Sequence, residues 1–225
     1  MPWHADVTIG RVGRGGVALP GELIMPDEAA GVVLFAHGSG SSRHSPRNQT
    51  VAAGLNEAGF GTLLFDLLTS DEGHADAQTA ALRFDIGLLA GRLIAAVDWL
   101  DGQECARGLP RGLFGASTGA AAALAAAARR PDHVRAVVSR GGRPDLARPV
   151  LSAVQAPVLL IVGGRDGRVR ELNEAVMADL PEVSELAIVP GASHLFEEAG
   201  ALEQVTALAA HWFARHLSGV ARAPG

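Results

Sequence analysis

Leu113-Phe114-Gly115-Ala116-Ser117-Thr118-Gly119 is the stretch on which the fold turns. A short apolar run ends in Gly-x-Ser-x-Gly, and an alanine-rich segment follows as far as Arg129-Arg130-Pro131. The pattern asks a strand to turn sharply into a helix while it presents Ser117 to solvent. The two glycines let backbones pass closely around a strained residue. Such a pentapeptide also arises by chance, so its place between a strand and a helix carries the weight.

Outward from there, short apolar runs alternate with segments of helical period. The runs are Val32-Val33-Leu34-Phe35, Thr62-Leu63-Leu64-Phe65, Leu113-Phe114, residues 134–138, residues 158–162 and residues 186–189. This alternation is what parallel sheets with crossover helices produce, so an α/β doubly wound sheet is expected. Ser45-Pro46 supplies a cap and a first-turn proline, Val51, Leu55 and Ala58 share a face, and Gly59 closes that helix. Helical spacing also joins Leu82, Ile86, Leu89, Leu93, Val97 and Leu100; Leu172, Val176 and Leu180; and Leu202, Val205, Leu208, Trp212 and His216. Near the start, Val7-Thr8-Ile9 and Val17-Ala18-Leu19, separated by Gly13, Gly15 and Gly16, read as an antiparallel hairpin at a sheet edge. No linker or repeat divides residues 1–225, which read as one domain with a loose tail at 218–225.

Composition removes several function classes. The chain has 225 residues, enough for a full core without metal or crosslink, and its single Cys105 leaves no disulfide framework. A net charge of −5 argues against a phosphate-neutralising surface, so no nucleic-acid partner is expected. No apolar run is long enough for a membrane span, and Met1-Pro2-Trp3-His4-Ala5-Asp6 lacks a signal-peptide pattern, so the expected location is cytoplasmic with no membrane partner. All 19 basic residues are arginine and tyrosine is absent. A Walker-type phosphate loop, a Schiff-base lysine, a Ser-Lys dyad and a tyrosine acid are thereby excluded. The histidines show no metal-ligand spacing; His211 and His216 lack the H-E-x-x-H pattern, so neither metal nor cofactor is expected.

A serine hydroxyl attacks only if a base takes its proton and a carboxylate orients that base. Downstream of Ser117, Asp166 follows the run 158–162 in Gly163-Gly164-Arg165-Asp166-Gly167, and His194 follows the run 186–189 in Pro190-Gly191-Ala192-Ser193-His194. Both positions fall just past the carboxyl ends of strands, where open parallel sheets bind ligands. Alone, His194 could open a helix and Asp166 could serve a turn. The order Ser, Asp, His, each after its own strand, points to a nucleophile, an orienting acid and a base.

With these residues in place, the chain resembles the α/β-hydrolase superfamily and, within it, the small lidless proteins of the dienelactone hydrolase group. The likeness runs from the hairpin to the last helix and rests on four stretches. These are His37-Gly38-Ser39-Gly40, the serine turn, Gly163-Gly164-Arg165-Asp166, and Gly191-Ala192-Ser193-His194. It implies a mostly parallel twisted sheet of about eight strands with helices on both faces and no lid domain. Dienelactone hydrolases proper use a cysteine nucleophile; here Ser117 fills that place, and Cys105 lies well before it. The resemblance also implies two backbone donors for an oxyanion, from Thr118 after the nucleophile and from Ser39 in the loop after the first parallel strand. Gly38-Ser39-Gly40 could instead be a tight turn; a dinucleotide fingerprint fails because Arg43 stands where its third glycine belongs.

The expected activity is serine hydrolysis of a small or medium ester, thioester or lactone. Acyl transfer on the same triad, or a ligand-binding module that retains the triad unused, are the alternatives. The expected partner is a small acyl substrate, with a second copy of the chain compatible with the sequence. Arg140 and Arg143 flank Gly141-Gly142, and Arg43 and Arg47 follow the Ser39 loop, so these guanidinium groups are candidates to hold an anionic part of the substrate. They could equally pair with Glu72 and Asp145. Asp71 and Glu72 are a further, weaker pair of substrate contacts, set against the reading that they belong to a solvated loop.

Overall fold

Among the residues that the computed structural model describes, 2–12 and 16–217, eight strands share one sheet. They are β1 (Trp3–Val12), β2 (Val17–Met25), β3 (Val32–Ala36), β4 (Gly61–Phe65), β5 (Arg111–Ala116), β6 (Val134–Arg140), β7 (Val158–Gly163) and β8 (Glu185–Val189). The spatial order is β1-β2-β4-β3-β5-β6-β7-β8; β1 and β2 run antiparallel to their neighbours, and the other contacts are parallel. Gly13 and Gly15 of the expected hairpin turn, and the tail 218–225, lie outside the described residues.

Every residue of β3, β4, β5 and β7 is buried, which is why these strands read as unbroken apolar runs. Alternation along the strand still sorts the two faces. Val32, Leu34, Ala36 and Leu113 pack with Leu89, Leu93, Val97 and Leu124 from α3 (Ile86–Trp99) and α4 (Thr118–Arg129). Val33, Phe35 and Phe114 pack on the other face with Val51 and Leu55 of α1 (Pro46–Glu57) and Val205, Trp212 and Phe213 of α6 (Ala201–Leu217). The sheet is therefore covered on both sides, as the fold class requires. The link between β6 and β7 holds only a 3-10 helix, Pro144–Ala153.

Helix ends follow local chemistry. Ser45 caps α1 by accepting from the Asn48 amide, Pro46 opens it, and Gly59 follows at φ 85°. Three expectations are corrected. Leu82 is not in the long helix: the Asp76 carboxylate accepts from the Leu82 and Arg83 amides at 2.8 and 2.9 Å, closing a separate 3-10 turn, and Asp85 then caps α3. The stripe Leu172, Val176, Leu180 is also broken. Helix α5 (Gly167–Glu174) ends early, and Leu180, before Pro181, is extended as a residue preceding proline must be. Asp71 and Glu72 are not in a loop; they begin α2 (Ser70–Thr79), which Thr69 and Glu72 close as a reciprocal capping box.

At the turn into α4, close packing explains the glycines. A Cβ on Gly119 would fall 2.5 Å from the His37 carbonyl oxygen and closer still to that of Ala36, and one on Gly115 would lie 2.7 Å from the Ala120 nitrogen. Those obstacles are main chain and cannot swing aside. Gly91, inside α3, has nothing within 4 Å of its would-be Cβ. Gly119→Ala should therefore cost about 2–3 kcal/mol as overpacking, whereas Gly91→Ala should gain up to ~1 kcal/mol from helix propensity. Urea unfolding midpoints of the two variants check this, and equal stabilities would refute the account.

Candidate active site

Ser117 sits between β5 and α4 at φ 52° and ψ −121°, a backbone region that residues with a side chain avoid. Three main-chain hydrogen bonds hold it there. Its amide donates to the Arg140 carbonyl at 3.2 Å, and its carbonyl accepts from the Ala120 and Arg143 amides, each at 3.1 Å. The strain is thus over-determined by neighbouring elements, as strained functional residues require.

His194 and Asp166 meet across the ends of β7 and β8. The His194 Nδ1–H donates to Asp166 Oδ2 at 2.7 Å. Since a carboxylate only accepts, this bond fixes the tautomer and leaves the Nε2 lone pair of His194 bare. Asp166 is mostly buried and His194 about 40% exposed. The two loops are tied together: Glu198 accepts from the Ser193 amide at 3.0 Å and also pairs with Arg165. Those donors, the Ser193 amide foremost, pull the Glu198 carboxyl down to about 2. Gly141, at φ 52°, packs against the His194 segment, and its would-be Cβ lies 3.2 Å from the His194 carbonyl oxygen.

Ser117 and His194 line one cavity of about 140 Å³, together with Ser39, Arg47, Asn48 and Arg140. The loop after β3 runs beside Ser117, with the would-be Cβ of Gly38 3.2 Å from Ser117 Cβ. Ser39 Oγ and Thr118 Oγ1 are hydrogen-bonded at 2.9 Å, and Thr118, the first residue of α4, has its amide among the free donors of a helix start. Ser39 and Thr118 also border a larger cavity of about 320 Å³ with Leu67, Leu68 and Leu89 in its wall.

The structure brings Ser117, Asp166, His194, Ser39 and Thr118 to one edge of the sheet. The expected substrate contacts are treated differently. Arg43 pairs with Asp66, which also accepts from the Arg43 amide. Arg143 spends both arms of its guanidinium on Asp145 at 2.7 and 2.8 Å. Glu72 is engaged by the buried Arg92 at 2.6 Å and by the Thr69 amide, so it serves the start of α2. Of the three arginines, Arg140 alone stays without a carboxylate partner among the described residues. Among the described residues no cluster of three or more His, Cys, Asp or Glu is placed to hold a metal ion, and no helix is long and apolar enough to cross a membrane.

Residues 31–189 match the family described as alpha/beta hydrolase fold. The chain belongs to that family. It is dienelactone hydrolase-like: a dienelactone hydrolase from Anabaena variabilis is 55% identical, covers 96% of this chain and 99% of its own, and superposes with a TM-score of 0.92. Est1E from Butyrivibrio proteoclasticus, at 18% identity and a TM-score of 0.77 over 93% of this chain and 98% of its own, shares the fold. A Mycobacterium tuberculosis protein with the provisional name of a phosphoribosyl transferase is 57% identical over 93% of this chain, which spans only 46% of that relative's length. The chain thus covers about half of the curated relative, and that name describes the longer protein.

His37 is a working residue for which the sequence offered a motif but no role. Its buried ring accepts from the Leu67 amide at Nε2, 3.0 Å, so Nδ1 bears the proton and donates to the Gly38 carbonyl at 3.0 Å. The neutral ring pins the Ser39 loop to the end of β4. Burial holds its pKa below 6.5. The folded protein therefore resists a proton that the unfolded chain accepts, and stability falls as pH drops below 6.5. Between about pH 7.5 and 5.5 the wild type should lose more unfolding free energy than His37→Gln, by at most ~1.4 kcal/mol per pH unit. Equal losses in urea titrations of the two proteins would remove His37 from the account.

Proposed function

We propose that this protein is a serine hydrolase of small or medium esters, thioesters or lactones. The observation that carries the reading is that His194, its tautomer fixed by the hydrogen bond to Asp166, lines the same cavity as a strained Ser117. In this reading Nε2 of His194 takes the Ser117 hydroxyl proton as Oγ bonds to the acyl carbon. Asp166 stabilises the imidazolium, and the Ser39 and Thr118 amides receive the oxyanion. Collapse breaks the acyl–oxygen or acyl–sulfur bond, and the leaving group departs with the proton from His194. Water then gives a proton to His194 and its hydroxide to the acyl carbon, and the second collapse returns that proton to Ser117 and frees the acid. In the larger cavity Leu67, Leu68 and Leu89 share the wall with hydroxyl residues and with Asp66, Asp76 and Arg83, and the leucines offer an apolar strip for one limb of the substrate. A cytoplasmic setting is part of the proposal; the free, exposed Cys105 suits a reducing compartment.

Hydrolysis is preferred over the activity named for the mycobacterial relative because the motifs for acyl chemistry lie within the shared half, at residues 37–40, 115–119, 163–166 and 191–194. A fluorophosphonate should add one adduct, mapped to Ser117, and none to Ser117→Ala. Asp166→Asn should fold normally, since asparagine also caps α5, yet lower ester turnover by ~10⁴ through loss of the productive tautomer. Labelling that survives in Ser117→Ala, or near-normal turnover in Asp166→Asn, would refute the assignment.

A further inference from the structure

Arg140 ends β6 and is 8% exposed, yet among the described residues no carboxylate lies within ion-pairing distance of it. Its Nη2 reaches only the Asn48 Oδ1, at 3.4 Å, and its buried Nη1 has no hydrogen-bond partner. The nearest charge is of the same sign: Arg47, whose Nε is likewise buried and unpartnered. Arg47 Nη1 does meet Glu197 Oε1, 3.1 Å away, but Glu197 is exposed. Burial first, and Arg47 second, push the Arg140 guanidinium down to about 10, so it remains charged at neutral pH. A buried, unbalanced cation with an empty donor is a cost to folding, for which the packing shows no return. Both unpartnered donors belong to side chains that line the cavity of Ser117 and His194.

We propose that Arg140 and Arg47, with Asn48 orienting Arg140, form an oxyanion subsite beside Ser117 that holds a carboxylate or phosphate carried by the substrate. The inference rests on the hydrolase reading above and deepens it. It assigns opposite characters to the two cavities that meet at Ser39: the anionic end of the substrate lies on the α1 side, and the apolar limb lies against Leu67, Leu68 and Leu89. Both donors are closed off as the side chains stand, so an incoming oxyanion becomes the acceptor that Nη1 and Nε lack as the two arginines turn toward the cavity, and it cancels the repulsion between them. Such charge-assisted bonds, made away from bulk water, discriminate strongly against a neutral isostere that leaves the donors unfilled.

The test uses three 4-nitrophenyl esters of matched chain length whose far end is a carboxylate, a phosphate or a methyl ester. A kcat/KM ratio of charged to neutral ester of about tenfold or more is expected for at least one anion, and the better anion names its source. That ratio should fall by about tenfold in Arg140→Leu and in Arg47→Ala. Arg140→Leu should melt no lower than wild type, since it removes an uncompensated charge. If Arg140→Leu fails to fold, Arg47→Ala decides, and an unchanged ratio in that variant overturns the subsite. Calorimetry of glutarate and inorganic phosphate on Ser117→Ala gives a readout that needs no catalysis, with binding expected for one of them and lost in Ser117→Ala combined with Arg140→Leu. Esters cleaved without regard to charge, and no anion bound, would overturn the subsite and leave the hydrolase standing. Anion binding that depends on Arg140 in a protein that cleaves no ester would do the reverse.

Discussion

Ser117 must occupy a positive-φ backbone that its own side chain disfavours, and the surrounding architecture is arranged to hold it there. The β6 carbonyl of Arg140 takes its amide, and the amides of Ala120 and Arg143 take its carbonyl. That requirement fixes glycine at 115 and 119, where the helix backbone meets β3 and its own first turn at distances that exclude a Cβ. It also places Arg140 next to the nucleophile, because the strand that restrains Ser117 ends in that residue. The tight turn and the buried cation are thus consequences of one arrangement at the end of β5.

Electrostatics around the site divides into satisfied and unsatisfied arginines. Arg43, Arg83, Arg92 and Arg143 each have an acid within reach, and these pairs brace the loops after β3, β4 and β6. Partly exposed pairs of this kind add little stability individually, but they fix where a loop lies. Arg140 has no such partner, although it is buried almost as deeply as the paired Arg92. The contrast lies within one residue type, so composition alone could not reveal it.

The central strands were legible because a parallel strand covered on both faces has apolar residues at every position, and β3, β4, β5 and β7 do. The positions of Ser117 and Asp166 were legible for the related reason that each follows such a run, and His194 follows the shorter, half-buried run of β8. Helix limits were less so. A stripe from Leu82 to Leu100 keeps its period across a break made by Asp76 and Asp85, because capping acts on amides and leaves the side-chain pattern intact. The edge strand β1 and its neighbour β2 run longer than their apolar cores suggest, since pairing with one another carries β2 on through Pro20 and Gly21. The tie between Glu198, Arg165 and Ser193, and the isolation of Arg140, join residues far apart in the chain and left no local mark.

Each reacting group stands at the end of a different strand, and the order of those strands in the sheet is unlike their order in the chain. Ser39 can meet Thr118 only after β3 has zipped onto β5 across an intervening βα crossover, and His194 can meet Asp166 only after β8 has docked beside β7. Pairings of such long sequence separation form slowly, because loop closure must be completed before contacts repay it. No fragment of the chain, and no partly assembled sheet, holds the whole constellation. A nascent or refolding molecule therefore has no assembled cluster of Ser117, Asp166 and His194 until the edge strand β8 is in place.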